Sequence, residues 1–382
     1  MKFRDYVDQD TLRKYLDEKI VTVRFHPRAP LAIYNYGRRA QFENIWDNVT
    51  VRCRGLIVDQ KMGDVIARPF EKFFNLGHQG RPETNFENLP SEEPEVTEKM
   101  DGSLGIYYRY GDLSGIASRG SFDSEQALWA TQWYKIHLID SQWPETFTPL
   151  FKIVYPGNRI VVKYDWEGLI LLGMVEKESG RELYHRHLVG YGQKNNCRVV
   201  PLFNKSIADC RTEEQNNAEG YVATWNHGLP RPPLKIKIKF IEYRRLHRLM
   251  TGRSPKEIWR MLKDGEVFDA DVPEHYAEWL RGWRELLLGE YYRLETKAKN
   301  IYDTCDLEKD GQNKDSRRKL AEYFNRVEHR EVNGVLFKML DGESYQEIIW
   351  KLIKPLTKSY DPFRVAGLIF FGSTFFASAV SE

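Results

Sequence analysis

Short apolar runs that alternate with polar residues dominate the chain from about residue 20 to residue 240. Their β-branched and aromatic residues recur at every second position and are bounded by turn-forming residues, which is the pattern of half-buried strands. Gly111-Asp112 separates two such runs and predicts a hairpin turn. The predicted strands are Val51–Asp59, Val65–Arg68, Gly105–Tyr110, Ile160–Tyr164, Leu169–Val175, Gly220–Thr224 and Leu234–Lys239.

Two segments interrupt this pattern. Ser124–Leu138 has apolar side chains at helical spacing and predicts a helix. Pro82–Glu98 is acidic and contains several prolines, so we expect it to form a solvated connection. The first part of the chain therefore predicts mostly antiparallel sheet with one helix.

After about residue 245 the pattern changes to that of helices. Ser254-Pro255-Lys256-Glu257 supplies an N-cap, a proline at the first helical position and a capping glutamate, and Ser344 with Glu347 repeats this capping box. Val365–Val380 is rich in Phe, Ala and Ile but is too short to span a membrane. We therefore expect it to form a buried terminal helix. Pro273 to about Asp303 predicts a long helix whose aromatic and aliphatic positions we interpret as core and not as a base-stacking stripe. These positions are Trp279, Leu280, Trp283, Leu286, Leu287, Tyr291 and Leu294.

The length and the change of pattern predict two domains. The chain has 382 residues, which exceeds one ordinary hydrophobic core. We expect an α+β protein with an antiparallel-sheet domain over residues 1–247 and an all-helical domain over residues 248–382. Its 41% hydrophobic and 29% charged residues are typical of a soluble globular protein.

Charge and cysteine content narrow the function classes. The 57 basic and 55 acidic residues leave a net charge of +2, so nucleic-acid binding must depend on local clusters of basic residues. The four cysteines are too widely spaced for a CxxC zinc site and too few for a disulfide scaffold. The charged first ten residues predict neither a secretory signal nor a membrane anchor. We therefore expect a cytoplasmic protein without a membrane partner. We also expect it to be a monomer.

The candidate chemistry begins with Lys99-Met100-Asp101-Gly102. A lysine amine whose pKa is lowered by nearby cations can attack phosphorus and form a phosphoramidate, and an Asp-Gly turn would hold it beside phosphates. The pattern K-x-D-G is common by chance, and its structural alternative is an exposed lysine before a hairpin turn.

Three later motifs could supply the partners of such a lysine. Ser118-Arg119-Gly120-Ser121 presents a cation and two hydroxyl groups on a turn, although many such turns are plain hairpin ends. Glu219-Gly220-Tyr221-Val222 opens a strand with a carboxylate that could hold a ribose hydroxyl or a hydrated metal, or could serve the fold alone. In Leu234–Lys239 lysines alternate with apolar residues, so one strand face carries three ammonium groups.

The order of these motifs resembles that of the phage-type RNA ligase 1 family of covalent nucleotidyltransferases. The motifs at Lys99, Ser118 and Glu219 correspond to its motifs I, Ia and IV, and Lys237-Ile238-Lys239 with Tyr243 corresponds to motif V. The resemblance covers roughly residues 30 to 250. Tyr34-Asn35-Tyr36, Cys53-Arg54-Gly55 and Arg68–Leu76 strengthen the match.

The resemblance implies a nucleotidyltransferase domain of the ATP-grasp-like ligase type and ATP-dependent joining of RNA 3′-hydroxyl and 5′-phosphate ends through lysyl-AMP. It implies that Lys99, Lys237 and Lys239 are catalytic, that Glu219 holds ribose or metal, and that Mg²⁺ or Mn²⁺ takes part. The RNA ends are the expected partners, and tRNA is one candidate source of them. The residues expected to bind ATP are Tyr34, Arg54, Lys72, Glu98, Lys99, Arg119, Glu219, Lys237 and Lys239.

One position departs from the family pattern. In Leu150-Phe151-Lys152-Ile153, which resembles motif III, a lysine stands where the family carries glutamate. Another carboxylate such as Asp165 or Glu167 could replace it, the enzyme could be weakened or altered, or Lys152 could be an introduced substitution. The alternative function is a non-catalytic RNA-end-binding protein. A DNA ligase or capping guanylyltransferase is disfavoured, because the predicted helical tail does not resemble their OB-fold.

The helical part also carries basic runs that could contact RNA phosphates. A solvated helix face explains them equally well, because acidic residues are interspersed. The runs comprise Arg244, Arg245, Arg248, Arg253, Lys256, Arg260 and Lys263, and then Lys314, Arg317, Arg318 and Lys319.

Overall fold

The computed structural model describes residues 1–225, 228–252, 254–266, 274–309 and 313–355. The chain forms two compact units, Met1–Arg245 and Leu246–Glu382. In the described ranges no helix has the length and apolar character that a membrane crossing requires. Short 3-10 helices occur at Pro82–Thr84, Phe86–Asn88, Pro156–Asn158 and Val327–His329.

The first sheet of the first unit is antiparallel, with strand order β1-β2-β3-β4. Its strands are β1 Val21–Phe25, β2 Leu31–Tyr36, β3 Arg54–Asp59 and β4 Val65–Ala67. The accompanying helices are α1 Phe3–Tyr6, α2 Gln9–Asp17, α3 Arg38–Phe42 and α4 Asn48–Arg52.

The strand predicted at Val51–Asp59 is wrong in its first three residues. Helix α4 extends to Arg52 because Asp47 caps it: the Asp47 carboxylate accepts the backbone N–H groups of Val49 and Thr50. The Thr50 hydroxyl in turn accepts the Asp47 N–H, which completes a capping box. The apolar run therefore continues a helix before it becomes β3.

The second sheet has the order β11-β10-β9-β7-β8, and only β10 and β11 pair in parallel. The predicted Gly111-Asp112 hairpin is confirmed between β7 and β8, and Ser124 caps the predicted helix α5. The strands are β7 Ser103–Tyr110, β8 Leu113–Ala117, β9 Phe147–Val154, β10 Gly168–Glu176 and β11 Arg198–Val199. The helices are α5 Glu125–His137 and α6 His185–Lys194.

The third sheet has the order β12-β6-β13-β14-β5, with β14 and β5 parallel. Its strand β6 corrects the last four residues of the segment Pro82–Glu98, which was expected to be a solvated connection. Val96 is fully buried, and the Glu95 carboxylate accepts the His185 N–H. The strands are β5 Phe74–Asn75, β6 Glu95–Glu98, β12 Leu202–Phe203, β13 Gly220–Trp225 and β14 Leu234–Lys239, and helix α7 is Ile207–Thr212.

The predicted strand at Ile160–Tyr164 is not formed. The N–H groups of Val161 and Val162 donate to the Asp101 carboxylate at 2.7 and 2.9 Å and not to a neighbouring strand. The carboxylate of a residue distant in sequence thus accepts the backbone hydrogen bonds that a neighbouring strand would otherwise accept.

Beyond Phe240 the regular elements of the described residues are helical. Ser254 caps α9 as predicted, whereas the Ser344 capping box is wrong, because α13 begins at Gln346 and Ser344 donates to the Gln346 side chain. Leu286 is exposed, although the other predicted core positions of α10 are buried. Val365–Val380 lies outside the described residues. The helices are α8 Ile241–Gly252, α9 Pro255–Lys263, α10 Glu274–Asp303, α11 Lys314–Phe324, α12 Asn333–Leu340 and α13 Gln346–Leu352.

Candidate active site

The third sheet brings Lys99, Glu219 and Lys239 together at one end of three neighbouring strands. Lys99 follows β6, Glu219 precedes β13 and Lys239 ends β14. Both pairings are antiparallel, so the end of β6 and the end of β14 flank the start of β13. The Lys99 N–H donates to the Gly220 carbonyl at 2.9 Å, which holds the lysine backbone against β13.

Glu219 is the charged centre of this group. Its Oε1 lies 2.5 Å from Lys99 Nζ and 2.9 Å from Lys239 Nζ, and its side chain is 4% exposed. Burial opposes its ionisation, but the charges of Lys99, Lys239 and Lys152 outweigh burial and lower the pKa of Glu219 to about 2. Burial also lowers the pKa of Lys99, with help from the Lys239 charge and against the opposing effect of Glu219.

Asp101 anchors the motif and does not form a plain hairpin turn. Besides the two N–H groups of residues 161 and 162, its carboxylate accepts the hydroxyl of Tyr243 at 3.0 Å. The Asp101 N–H donates to the Tyr164 hydroxyl at 2.7 Å. The structural alternative of an exposed lysine before a hairpin therefore does not describe this segment.

The two motif glycines occupy positions that a side chain cannot share. Gly102 has φ +117°, and a Cβ there would lie 2.8 Å from the Ile153 carbonyl oxygen. Gly220 has φ +138°, and a Cβ there would lie 2.0 Å from the Ile238 carbonyl oxygen. Close backbone approach on both sides of Lys99 thus requires glycine.

Three predicted nucleotide contacts form a cationic group around Tyr36. Arg119 donates to the Tyr36 hydroxyl at 2.8 Å, and Lys72 Nζ lies over the rings of Trp46 and Tyr36 at 4.9 and 5.7 Å. Arg54 donates to the Phe70 carbonyl. Within the described ranges Arg54, Lys72 and Arg119 make no ion pair with a carboxylate, which fits an anionic ligand better than a purely structural role.

The structure does not bring Tyr34 into this group. Tyr34 lies in a core cluster with Phe3 and Leu56. Tyr36, two residues further along β2, contacts the cations instead. The sequence motif Tyr34-Asn35-Tyr36 contained this residue, but strand alternation alone gave no reason to prefer Tyr36 over Tyr34.

The lysines of β14 differ in their partners. Lys237 donates to the Phe73 carbonyl at 2.9 Å, and burial together with the charges of Lys72 and Arg54 lowers its pKa well below its ordinary value. Lys235 pairs with Glu182, a buried carboxylate that the sequence reasoning missed because it lies in no motif.

Lys152 projects from β9 into the same region. Burial and the nearby Lys99 charge lower the pKa of Lys152 to about 8. No carboxylate of the described residues forms an ion pair with it. Asp165 is exposed and Glu167 lines a different pocket, so the structure offers neither as a replacement for the expected motif III glutamate.

A pocket of about 150 Å³, which we call the Lys99 pocket, lies beside the Lys99 side chain. It brings together the predicted residues Arg54, Glu98, Lys99 and Lys237, and burial raises the pKa of Glu98. Its remaining charged lining residues are Lys152 and Lys235, and its apolar lining residues are Phe70, Phe73, Met100, Leu104, Leu172, Val200 and Val222.

The chemical character of the residues that line the Lys99 pocket suits a nucleotide. Apolar walls suit a base, and cations without carboxylate partners suit phosphates. The volume is below the roughly 300–1,000 Å³ of typical ligand sites. Among the described residues no cluster of three or more His, Cys, Asp or Glu side chains could hold a metal by itself. Glu219 with phosphate oxygens is a ligand set that Mg²⁺ accepts.

Comparison with known proteins locates the similarity in the region that carries the site. A family model described as RNA ligase matches residues 52–240. A protein of Thermovibrio ammonificans that is named provisionally as an RNA ligase is 29% identical over 215 residues, which cover 52% of this chain and 53% of that protein. The match thus spans about half the length of that relative.

An RNA ligase of Rhodothermus phage RM378 is 22% identical over 346 residues, covering 72% of this chain and 77% of that protein. Among solved structures, an archaeal ATP-dependent RNA ligase has a TM-score of 0.42 at 13% identity and covers 89% of this chain and 97% of its own. The Naegleria gruberi RNA ligase with PPi has a TM-score of 0.36 at 17% identity and covers 48% and 60%. Both structural likenesses are remote.

Proposed function

Because the chain belongs to the phage-type RNA ligase family of covalent nucleotidyltransferases, we propose that it is an ATP-dependent RNA ligase. It joins a 3′-hydroxyl end to a 5′-phosphate end through an AMP attached to Lys99. The observation that carries this proposal is the position of Lys99, a largely buried lysine paired with Glu219. Its pocket is also lined by Arg54, Lys152 and Lys237, which have no carboxylate partner among the described residues.

The first step requires a neutral Lys99 amine. Burial and Lys239 favour that form, as the lowered pKa of Lys99 indicates. The Lys99 nitrogen forms a bond to the α-phosphorus of ATP while the bond to the pyrophosphate oxygen breaks and pyrophosphate leaves. Arg54, Lys72 and Lys237 neutralise the phosphate charge, and Glu219 orients Lys99. A Mg²⁺ or Mn²⁺ ion bound by Glu219 and phosphate oxygens would supply further neutralisation.

The next two steps use the same phosphorus and then the RNA end. An oxygen of the RNA 5′-phosphate bonds to the AMP phosphorus while the bond to Lys99 breaks and the amine is restored. The RNA 3′-hydroxyl then attacks the 5′-phosphate phosphorus, and AMP leaves. Each displacement needs an oriented nucleophile and fixed cations more than it needs a further covalent group.

Incubation with α-labelled ATP and Mg²⁺ tests the proposal directly. We expect label on the protein under denaturing conditions, and we expect Lys99→Ala to retain none. Lys163→Met, an exposed lysine change in the same unit, serves as the matched control and should label normally. An unlabelled native protein would leave only the non-catalytic alternative, which keeps the pocket but not the transfer.

The same assay with Lys152→Glu tests the departure from the family pattern. A large gain in labelling would identify Lys152 as a cause of weakened activity. RNA specificity is tested by joining 5′-phosphate and 3′-hydroxyl ends of RNA in competition with DNA ends, where we expect RNA to be preferred.

A further inference from the structure

A second basic pocket adjoins the Lys99 pocket. It has a volume of about 180 Å³ and lies along the end of β14. Lys237 lines both pockets, so the two cavities are neighbours. Its other cations are Lys239, Arg211 of α7 and Arg244 of α8, and we call this cavity the arginine pocket.

In the part of the chain that the structure describes, the two arginines make no ion pair that would explain their convergence. Arg211 lies 4.3 Å from the centroid of the Phe86 ring, a contact that restrains its guanidinium. Neither Arg211 nor Arg244 pairs with a carboxylate of the described residues.

The neighbouring carboxylates already have other partners. Glu214 accepts the backbone N–H of Ile241 at 2.8 Å, and Glu242 pairs with Arg245 at 2.9 Å. Glu219 is shared between Lys99 and Lys239. The arginine pocket therefore carries more positive than negative charge from side chains, and its guanidinium groups are available to an anion.

Resting on the proposed function, we propose that the arginine pocket binds a phosphate group other than that of the AMP moiety. Guanidinium groups match phosphate oxygens in paired hydrogen bonds, whereas Lys237 and Lys239 act as point charges. Lys237 lines both cavities. If the base of a nucleotide lies against the apolar wall of the Lys99 pocket, its phosphates point toward the arginine pocket.

Two reaction partners carry such a phosphate. In the first step the bond from the α-phosphorus to the pyrophosphate oxygen breaks, and in the second an oxygen of the RNA 5′-phosphate forms a bond to the same phosphorus. Both groups lie opposite the Lys99 nitrogen, because each displacement is in line. One anion pocket can therefore receive pyrophosphate and then the RNA 5′-phosphate.

Equilibrium binding tests the arginine pocket without requiring catalysis. One arm measures pyrophosphate binding, and the other compares an oligoribonucleotide bearing a 5′-phosphate with the same oligoribonucleotide bearing a 5′-hydroxyl. The variants are Arg211→Gln and Arg244→Gln, and Arg13→Gln, an exposed arginine of α2, is the control.

We expect each pocket variant to weaken pyrophosphate binding, or to reduce the preference for the 5′-phosphate, by about tenfold, the loss typical of one charged hydrogen-bonding group. A change in the pyrophosphate arm identifies pyrophosphate as the bound group, and a change in the oligoribonucleotide arm identifies the RNA 5′-phosphate. Unchanged binding in both arms, or a wild-type protein that binds neither ligand, would overturn the inference. Protein that binds in these arms but takes up no label from ATP would contradict the proposed function alone.

Discussion

At the scale of single residues, Lys152 has the least expected environment. Its ammonium group lies among Lys99 and Arg54 without a carboxylate partner in the described residues, and burial and these charges lower its pKa. A buried, unpaired charge reduces stability unless a ligand compensates for it. Phosphate binding would provide that compensation, so Lys152 should weaken the free protein and strengthen its complex with ATP.

We therefore expect Lys152→Met to raise the free energy of unfolding of the free protein at pH 7 by roughly 1 kcal/mol. The same change should weaken ATP binding about tenfold, because one ammonium contact to phosphate is lost. Urea denaturation and ATP titration measure the two effects, with Lys163→Met as control. A variant that is less stable and binds ATP as well as wild type would contradict this account.

The depressed pKa values of Lys152 and Lys72 also predict a pH dependence of stability. Burial is the main cause of both shifts, and the folded pKa is about 8 against 10.5 for the ordinary side chain. Between these values the unfolded chain binds more protons at these two lysines than the folded one, so their contribution to stability should rise as pH increases from 8 toward 10. Burial raises the pKa of the Cys53 and Cys197 thiols to about 12, which opposes this rise. The prediction is therefore a difference between variants: in denaturation at several pH values, stability should increase less with pH, or fall more, in Lys152→Met than in wild type.

At the scale of elements, Asp101 replaces a strand pairing by side-chain hydrogen bonds. It joins the Lys99 segment to residues 161–164 and to helix α8 through Tyr243. The orientation of Lys99 therefore depends on a segment whose sequence alone indicates an ordinary strand.

Asp101→Ala should destabilise the first unit by roughly 3 kcal/mol, since two buried N–H groups lose their acceptor. Hydrogen exchange at Val161 and Val162 should accelerate, and labelling of Lys99 should fall at least tenfold because the lysine is less well oriented. Asp165→Ala, an exposed change in the same segment, is the control and should leave all three unchanged. Equal exchange rates in the two variants would show that Asp101 does not hold this segment.

At the scale of the whole molecule, the compact unit Met1–Arg245 contains every residue that we assign to nucleotide transfer. The sequence predicted a boundary at residue 247, and we propose that the following helical part docks RNA. The basic side chains of that part include several in ion pairs, such as Arg260 with Glu257 and Arg317 with Asp341. Those pairs support a solvated face for these particular arginines.

A chain that ends after residue 247 should therefore retain labelling by ATP within a few-fold of the full chain. Its RNA binding should weaken about tenfold if the helical part supplies one or two phosphate contacts, and the loss should shrink as salt increases. Filter binding at two salt concentrations measures this, with circular dichroism to verify folding. A folded fragment that takes up no label would show that the second unit is needed for the first step.

Much of the element pattern could be predicted, because strand alternation and helix caps depend on neighbours in sequence. β14, the β7–β8 hairpin, α5 and the Ser254 cap are confirmed. The errors at Val51 and Ile160 arise where a capping group or a distant side chain took the backbone hydrogen bonds. At Ser344 the hydroxyl donates to the Gln346 side chain and does not cap the helix. β6 was missed because its acidic residues resemble a solvated segment.

The amino-acid pattern was enough to indicate which groups could carry the chemistry: a lysine before Asp-Gly, a carboxylate before a strand glycine, and lysines alternating along one strand. The order of these motifs was sufficient to indicate the family. The pairing of these groups follows from the fold. Glu219 pairs with both Lys99 and Lys239, Tyr36 and not Tyr34 contacts the cations, and Lys152 and Arg211 lack carboxylate partners in the described residues. Burial and pairing depend on strands that meet across more than a hundred residues of sequence, so local pattern cannot contain them.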